Sequence, residues 1–326
     1  MPGTDPAEAM RIVAGELPDF PFLPELPDRG PGADLTGRTA ALLVDLPVET
    51  TPGGWRIAER PGRYMRAARS MLSSDLDAME EALAGFEGPL KVSLCGPWTL
   101  AATIELPRTL NAVVSDSGAV ADLTGSLAEA AAAFVAEVAR RVPGAQLVVQ
   151  VDEPALAAVA HGEIPTASGL SRLPAIDAAV LADQLGTVLA AVDRYTVVHC
   201  CATPVPFGII MDARPAGIAF DLSLLRREDA DRVAEAAEAG RGILVGAVRA
   251  IPEPGERTEP ADTARRVLRF WHRLGLAPER CAEQVVITPS CGLAGATPEQ
   301  ARDRLAHCRE AARIVPELAE ETEGGA

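Results

Sequence analysis

The sequence has no excess of positive charge. Its 326 residues include 30 lysines and arginines against 46 aspartates and glutamates, which gives a formal net charge of −16 at pH 7. Nucleic acids and anionic membrane surfaces are bound mainly through basic patches, so this balance argues against either as a partner. We expect a small molecule as the substrate.

Cysteine is also scarce, and long apolar runs are absent. Six cysteines in a chain of this length are too few for the dense disulfide framework of a small secreted domain. The first residues contain no apolar core of a signal peptide, and no stretch has the length and composition of a membrane span. We therefore expect a cytoplasmic protein whose cysteines are free thiols or metal ligands.

Apolar runs alternate with helical patterns along the chain, which is typical of βα units around a parallel sheet. Hydrophobic residues make up 48% of the chain, enough for one large core. The predicted strands are runs rich in Val, Ile and Leu, at 40–46, 90–94, 147–151, 195–200, 217–221, 242–247 and 284–288. The predicted helices lie at 63–86, 118–141, 176–192, 229–239, 262–274 and 298–315.

Seven βα units predict an α/β fold, the (β/α)8 or TIM barrel, with its first strand lacking or truncated. Residues 1–326 are predicted to form a single domain. Within it, residues 1–38 form an irregular N-terminal arm and residues 317–326 a flexible acidic tail. A missing first strand would leave an open sheet edge and remove one wall of the pocket at the carboxyl ends of the strands.

Three soft metal ligands lie at predicted strand ends. Because side chains alternate along a strand, His199 and Cys201 share one face of strand 195–200, and Cys200 faces the helices. Cys291 follows the strand at 284–288. Imidazole and thiolate are ligands of tetrahedral zinc, and a catalytic zinc keeps one position open. The pattern predicts a Zn²⁺ site, although buried cysteine and a lone histidine are also common core residues.

Two carboxylates, Asp152 and Glu153, end the strand at 147–151. A carboxylate at a strand end is a suitable counter-charge for a substrate ammonium group. Glu153 could orient the substrate or support another site residue. Alternatively, Asp152 and Glu153 could cap the segment that follows them, because acidic residues favour helix amino ends. We predict that both residues are catalytic, with Asp152 also binding the substrate.

Several motifs together resemble the catalytic barrel of cobalamin-independent methionine synthase. They follow the family's order and have similar spacing: Gln150-Val151-Asp152-Glu153-Pro154-Ala155-Leu156, then His199-Cys200-Cys201, then Cys291-Gly292-Leu293. The turn Cys95-Gly96-Pro97-Trp98-Thr99 is similar to the family's Thr-Gly-Pro-x-Thr turn. In length, the chain resembles the shorter, single-barrel branch of the family.

The resemblance implies a ligand set and a reaction. Zinc would be held by His199, Cys201, Cys291 and Asp221, where Asp221 replaces the family's glutamate. Asp152 would hold the amino group of homocysteine. The expected activity is zinc-dependent methyl transfer to a thiol, most simply homocysteine to give methionine.

The resemblance also bears on the methyl donor. Thr103 stands where the family's tryptophan is expected, Arg249 lies near the place of its histidine, and an acidic chain suits a polyanionic polyglutamate tail poorly. We therefore expect a methyl-corrinoid, or a corrinoid-carrier protein, rather than polyglutamyl methyl-folate. Two alternatives remain: a degenerate, non-catalytic barrel that binds a metal or another ligand, and a uroporphyrinogen decarboxylase-like enzyme.

Overall fold

The computed structural model describes residues 1–253, 255 and 258–323. Its strands are β1 (Val48–Thr51), β2 (Gly54–Ile57), β3 (Gly88–Cys95), β4 (Ile104–Glu105), β5 (Ala145–Asp152), β6 (Tyr195–Cys200), β7 (Gly217–Asp221), β8 (Gly242–Val248) and β9 (Val285–Pro289). Its helices are α1 (Pro6–Glu16), α2 (Leu35–Ala40), α3 (Arg63–Ala82), α4 (Pro97–Thr103), α5 (Ser117–Arg141), α6 (Leu156–Ala160), α7 (Ala178–Ala190), α8 (Phe207–Asp212), α9 (Ala230–Glu238), α10 (Pro260–Arg273), α11 (Pro278–Gln284) and α12 (Pro298–Glu323).

A curled parallel sheet of six strands forms the centre of the fold. The strand order is β3-β5-β6-β7-β8-β9, so strands that follow one another along the chain are neighbours. Helices connect the strands, and this arrangement is that of a βα barrel. The inner face packs Val197, Ala219 and Leu244 against one another. The predicted α/β barrel is confirmed, as are the six predicted strands from 90–94 onward.

The predicted strand at 40–46 is wrong. Residues up to Ala40 belong to α2, which begins after Asp34, whose carboxylate accepts a hydrogen bond from the Gly37 N–H at 2.6 Å. A turn follows, and Ala41 and Leu43 are buried. A short apolar run does not distinguish a buried strand from a buried helix end, which is why the pattern misled.

The N-terminal arm lies against the edge strand β3. Phe22 makes a parallel β-bridge with Lys91. The Leu23 N–H donates to the Lys91 carbonyl at 2.9 Å, and the Lys91 N–H donates to the Pro21 carbonyl at 3.0 Å. This short extended segment lies beside β3 where a preceding barrel strand would pair. The arm is irregular between α1 and α2 apart from this bridge and a 3₁₀ turn at Pro27–Arg29.

Helix α1 joins the arm to the rest of the barrel by packing against both α3 and α12. A separate apolar cluster includes Met1, Val13 and Leu26 from the arm with Leu293 and Leu305 from the last βα unit. The arm therefore contacts the βα units at both ends of the sheet.

Two further segments differ from the sequence-based expectation. A hairpin of β1 and β2, joined by β4, forms a small second sheet that the pattern did not predict. Helix α12 continues to Glu323, past the predicted end at residue 315 and through most of the predicted acidic tail. The last residues of that tail, 324–326, lie outside the described residues.

Within the described ranges, α5 is the one helix long and apolar enough to cross a membrane by length and composition. It packs against α7, and Leu123, Leu127 and Phe134 are among its buried residues. Core helices of soluble proteins can have the same length and apolar composition, so the packing of α5 explains its composition.

Candidate functional site

The parallel register brings the predicted site residues to one end of the sheet. Asp152 on β5 pairs with His199 on β6, and His199 pairs with Ala219 on β7. Asp221 lies two residues farther along β7, and Cys201 follows β6 directly. In parallel barrels this carboxyl end is where catalytic groups collect.

Asp152 and His199 form the best-defined contact of the site. The Asp152 Oδ1 atom lies 2.7 Å from the His199 Nδ1 atom. The same oxygen accepts a hydrogen bond from the Gln150 amide at 2.7 Å. Asp152 is 8% exposed. Asp152 therefore orients the His199 ring through one carboxylate oxygen, and its other oxygen has no donor among the described residues.

Cys201 and Cys291 come together although 90 residues separate them in the chain. Their Sγ atoms are 3.9 Å apart. The hydrogen bond between the two thiols lowers the pKa of Cys291 to about 6 and is the main reason that the pKa of Cys201 is raised. The Cys291 thiol therefore ionises more readily than an ordinary cysteine, while Cys201 keeps its proton. Cys200 is fully buried in the main core, as the alternation predicted.

Asp221, the fourth predicted ligand, is engaged elsewhere. Its Oδ1 atom accepts hydrogen bonds from the Ser223 N–H at 2.8 Å and from the Ser223 hydroxyl at 2.7 Å. These bonds cap the 3₁₀ turn Leu222–Leu224. Among the residues that the structure describes, no three His, Cys, Asp or Glu side chains gather closely enough to hold a metal ion. The structure thus brings the two predicted thiol ligands into contact and orients His199 through Asp152. Asp221 is hydrogen-bonded to Ser223 instead.

Glu153 points away from its neighbour Asp152 and is fully buried. One carboxylate oxygen accepts from the Trp98 N–H at 2.9 Å, and the other from the Thr99 N–H at 2.8 Å and the Thr99 hydroxyl at 2.7 Å. Burial raises its pKa to about 7, although these hydrogen bonds oppose the shift. Glu153 thus caps the first turn of α4, which lies earlier in the chain, and not the segment that follows it, α6, which has no side-chain cap.

Two further polar residues contact the site but were not predicted as site residues. The Lys91 ammonium donates to the Gln150 Oε1 atom at 3.1 Å, and Gln150 reaches Asp152 in turn. Gln150 was visible in the motif, and strand alternation places it on the same face as Asp152. Lys91 lies on the neighbouring strand β3, in an otherwise ordinary apolar run, and carried no signal of its own.

The sequence around this site matches a known protein family. A model of the catalytic domain of cobalamin-independent synthases matches residues 109–314, a segment that contains all six predicted site residues. The chain belongs to this family. The resemblance in the sequence is thereby confirmed, and the match is to this family rather than to the uroporphyrinogen decarboxylase-like alternative. No curated protein matches the chain.

Solved structures support the barrel independently. A B12-independent methionine synthase from Shewanella sp. W3-18-1, solved in complex with selenomethionine, superposes with a TM-score of 0.55 at 14% sequence identity. The match covers 82% of this chain and 72% of that one. At so low an identity the likeness concerns the fold, and it places this member of the cobalamin-independent synthase family on the same architecture.

Proposed function

We propose that this protein is a zinc-dependent methyltransferase that methylates a thiol, with homocysteine as the acceptor and methionine as the product. The observation that carries the proposal is the Cys201–Cys291 pair, which lies at the same end of the sheet as the Asp152–His199 contact. Membership of the cobalamin-independent synthase family supports the reaction class. Zinc, the acceptor and the donor are parts of the proposal.

The donor chemistry and spacing of the two thiols fit a zinc ion. Zinc–sulfur bonds of about 2.3 Å at a tetrahedral angle place two sulfur ligands about 3.8 Å apart, and the observed separation is 3.9 Å. His199 has the hydrogen bond of a ligand, because a zinc-binding histidine usually has its second nitrogen held by a carboxylate, as Asp152 does here, but among the described residues it does not form a three-residue cluster with the thiols. Asp221 does not fit without leaving Ser223. Zinc would therefore be held first by Cys201 and Cys291, and His199 would have to move toward the two thiols to complete the ligand set.

Zinc would stabilise the thiolate form of a thiol substrate, which is the nucleophile in methyl transfer. The protein's own groups bind and orient that substrate. Asp152 offers an oxygen to an ammonium group while its other oxygen fixes His199. Glu153 has an indirect role, because its carboxylate holds the first turn of α4 against the end of β5.

We propose a methyl-corrinoid as the donor, free or on a carrier protein. By the resemblance, Thr103 stands where the family's tryptophan is expected, and Arg249 lies near the place of its histidine. The Thr103 hydroxyl donates to the Thr99 carbonyl of its own helix at 2.7 Å, and Arg249 is paired with Glu253 at 3.0 Å. Neither residue offers the pterin stacking or proton donation that the family positions imply, and the net charge of −16 disfavours a polyglutamate tail.

Metal content tests the first half of the proposal. Wild-type protein is expected to contain near-stoichiometric zinc, and Cys201→Ser and Cys291→Ser are each expected to lose most of it. Cys281→Ser is the matched control, since Cys281 is a fully buried thiol of α11 outside the site. Equal zinc in all four proteins, or none in any, would contradict the zinc site.

Methyl transfer tests the second half. Zinc-loaded protein is incubated with homocysteine and either methylcobalamin or polyglutamyl methyl-folate, and methionine is quantified. We expect methionine from the corrinoid alone, and its loss in Cys291→Ser. Production from the folate alone would refute the donor and leave the acceptor standing.

A second candidate function has one observation in its favour. Asp221 is turned to Ser223, and the described part of the chain assembles no three-residue metal cluster. A barrel that binds a ligand without turnover would be consistent with both facts. Stoichiometric zinc without any methyl transfer from either donor would favour it.

A further inference from the structure

A cavity of about 380 Å³ lies where the carboxyl end of β8 meets the helices α10 and α12. We call it the α10–α12 cavity. Its walls come from the strand end and from both helices, with the residues Ala247, Val248, Thr263, Arg266, Arg304 and His307. The volume is in the range of pockets that hold small organic ligands. None of the six predicted site residues lines this cavity, so it is separate from the thiol pair.

The α10–α12 cavity concentrates positive charge in a chain whose formal net charge is −16. Its described lining includes three arginines and one carboxylate, Glu253. Glu253 lies 3.0 Å from a guanidinium nitrogen of Arg249, so these two charges offset each other. The charges of Arg266 and Arg304 are not offset within the described lining. Such a local cluster attracts anions although the chain as a whole repels them.

Arg304 is the more unusual of these two arginines. Its Nε atom is shielded from solvent and has no hydrogen-bond partner among the described residues. A guanidinium carries five N–H donors and never loses its charge. Shielding a charged donor from water without an acceptor is unfavourable. An anion in the cavity would supply the acceptor that the fold does not.

A hydrogen bond between the two helices fixes the position of both arginines. The Thr263 Oγ1 atom of α10 lies 2.9 Å from the His307 Nε2 atom of α12, and both side chains are buried. Arg266 and Arg304 each lie three residues from this contact, which is one turn along the same helix face. Arg266 also donates a hydrogen bond to the Ala247 carbonyl, which ties its side chain to β8. Two guanidinium groups from different helices therefore border one cavity.

We propose that the α10–α12 cavity binds the phosphoryl group of a small molecule, and that Arg266 and Arg304 hold its oxygens. A planar guanidinium binds two oxygens of one anion at once, and phosphate is a common partner of this kind. A single carboxylate is satisfied by one such group, whereas a phosphoryl group has oxygens for two. The proposal is independent of methyl transfer and of zinc.

Three variants test the site. Arg304→Gln and Arg266→Gln each remove one charge and keep a polar side chain, and they act from different helices, so the test survives if one variant does not fold. Arg302→Gln is the matched control. Arg302 lies on α12 close to Arg304, is exposed, and is not part of the cavity lining.

The measurement is isothermal titration calorimetry with inorganic phosphate, phenyl phosphate and succinate, at constant ionic strength and a pH at which all three are dianions. We expect both phosphates to bind wild type and Arg302→Gln, with phenyl phosphate at least as tight as inorganic phosphate. Each of the two cavity variants is expected to weaken this binding roughly 10- to 100-fold, as loss of a hydrogen bond to a charged group does. Succinate is expected to bind more weakly than either phosphate.

Four results would overturn the proposal or a part of it. Failure of both phosphates to bind wild type, or equal affinity in wild type and both cavity variants, would remove the site. Succinate that binds as tightly as phenyl phosphate would refute the assignment to a phosphoryl group. Binding of inorganic phosphate without phenyl phosphate would refute a small organic ligand. Cys201→Ser is expected to bind phosphate as wild type does, so the zinc proposal can fail without affecting this one.

Discussion

Glu153 shows how burial and hydrogen bonding act in opposite directions on one carboxyl group. Three donors from Trp98 and Thr99 stabilise its charge, and complete burial disfavours it. Burial is the larger effect, because the pKa rises to about 7 from an ordinary value of 4.5. A carboxyl group with a raised pKa is uncharged in the folded protein over a range where it is ionised in the unfolded chain.

This shift predicts a pH dependence of stability. Between pH 4.5 and 7 the unfolded state binds fewer protons at Glu153 than the folded state, so the free energy of unfolding falls as the pH rises. The loss is up to about 3 kcal/mol at about 1.4 kcal/mol per pH unit. Glu153→Gln removes this contribution. When the free energy of unfolding is measured by urea denaturation at pH values from 5 to 8, it is expected to change less with pH in this variant than in wild type.

The exposed Glu129 on α5 supplies the control. In Glu129→Gln, the free energy of unfolding is expected to change with pH as it does in wild type. The same result in Glu153→Gln would mean that Glu153 is ionised in the folded protein throughout this range.

At the scale of the element, α4 depends on a close approach between its first turn and the end of β5. A Cβ atom added at Gly96 would lie 2.4 Å from the Glu153 carboxylate, which has no room to move because it is fully buried. The backbone of Gly96 is extended, so the demand for glycine is purely steric. The Glu153 carboxylate thus holds the end of β5, the turn at Gly96 and the first turn of α4 in contact with one another.

We predict that Gly96→Ala lowers the free energy of unfolding by about 1–3 kcal/mol through overpacking. Gly125→Ala is the matched comparison, since Gly125 lies inside α5 with no atom within 4 Å of an added Cβ. That change is expected to stabilise the protein by about 0.5–1 kcal/mol, as alanine does in a helix. Urea denaturation measures both, and a neutral Gly96→Ala would show that α4 can shift away from Glu153.

The elements also show where sequence reasoning succeeds and where it stops. Buried parallel strands are long runs of Val, Ile and Leu, and six of them were predicted close to their observed bounds. The run at 40–46 is equally apolar but belongs to a helix end and a turn. The alternation along β6 separated His199 and Cys201 from Cys200 correctly.

The site was predictable as a set of residues but not as a set of contacts. Alternation assigns a face to each side chain, and it does not give the partner across the barrel. The bonds from Glu153 to α4 span more than 50 residues of chain, and the Lys91–Gln150 contact joins two strands 59 residues apart. Asp221 was assigned by family position, and only the structure revealed its bonds to Ser223.

At the scale of the whole molecule, the N-terminal arm connects the two ends of the curled sheet. It pairs with β3 through Phe22, and α1 packs against α12. A buried ion pair secures it to α3: the Arg29 Nη2 atom donates a hydrogen bond to one Asp75 oxygen at 2.8 Å, and the Nη1 atom lies 2.7 Å from the other. The Asp75 side chain is 2% exposed, so this pair is shielded from solvent.

We predict that Asp75→Asn destabilises the protein by about 3 kcal/mol, because it leaves the Arg29 charge buried without its partner. Trypsin is then expected to cut within residues 1–38 faster than in wild type. Asp77→Asn is the control on the same helix, where the pair with Arg141 is solvent-exposed and contributes less than about 1 kcal/mol. Equal rates of cleavage in both variants would show that the arm docks independently of Asp75.

Cleavage at the single lysine, Lys91, can report how often the barrel opens. A protease that cuts only after lysine has one target in the chain, on the inner face of β3, where both neighbouring peptide groups are hydrogen-bonded to the arm or to β5. Cleavage requires the barrel to separate at that strand, because the peptide must leave the sheet to enter a protease active site. The rate at which two fragments appear therefore measures how often the interior of this barrel is exposed to water.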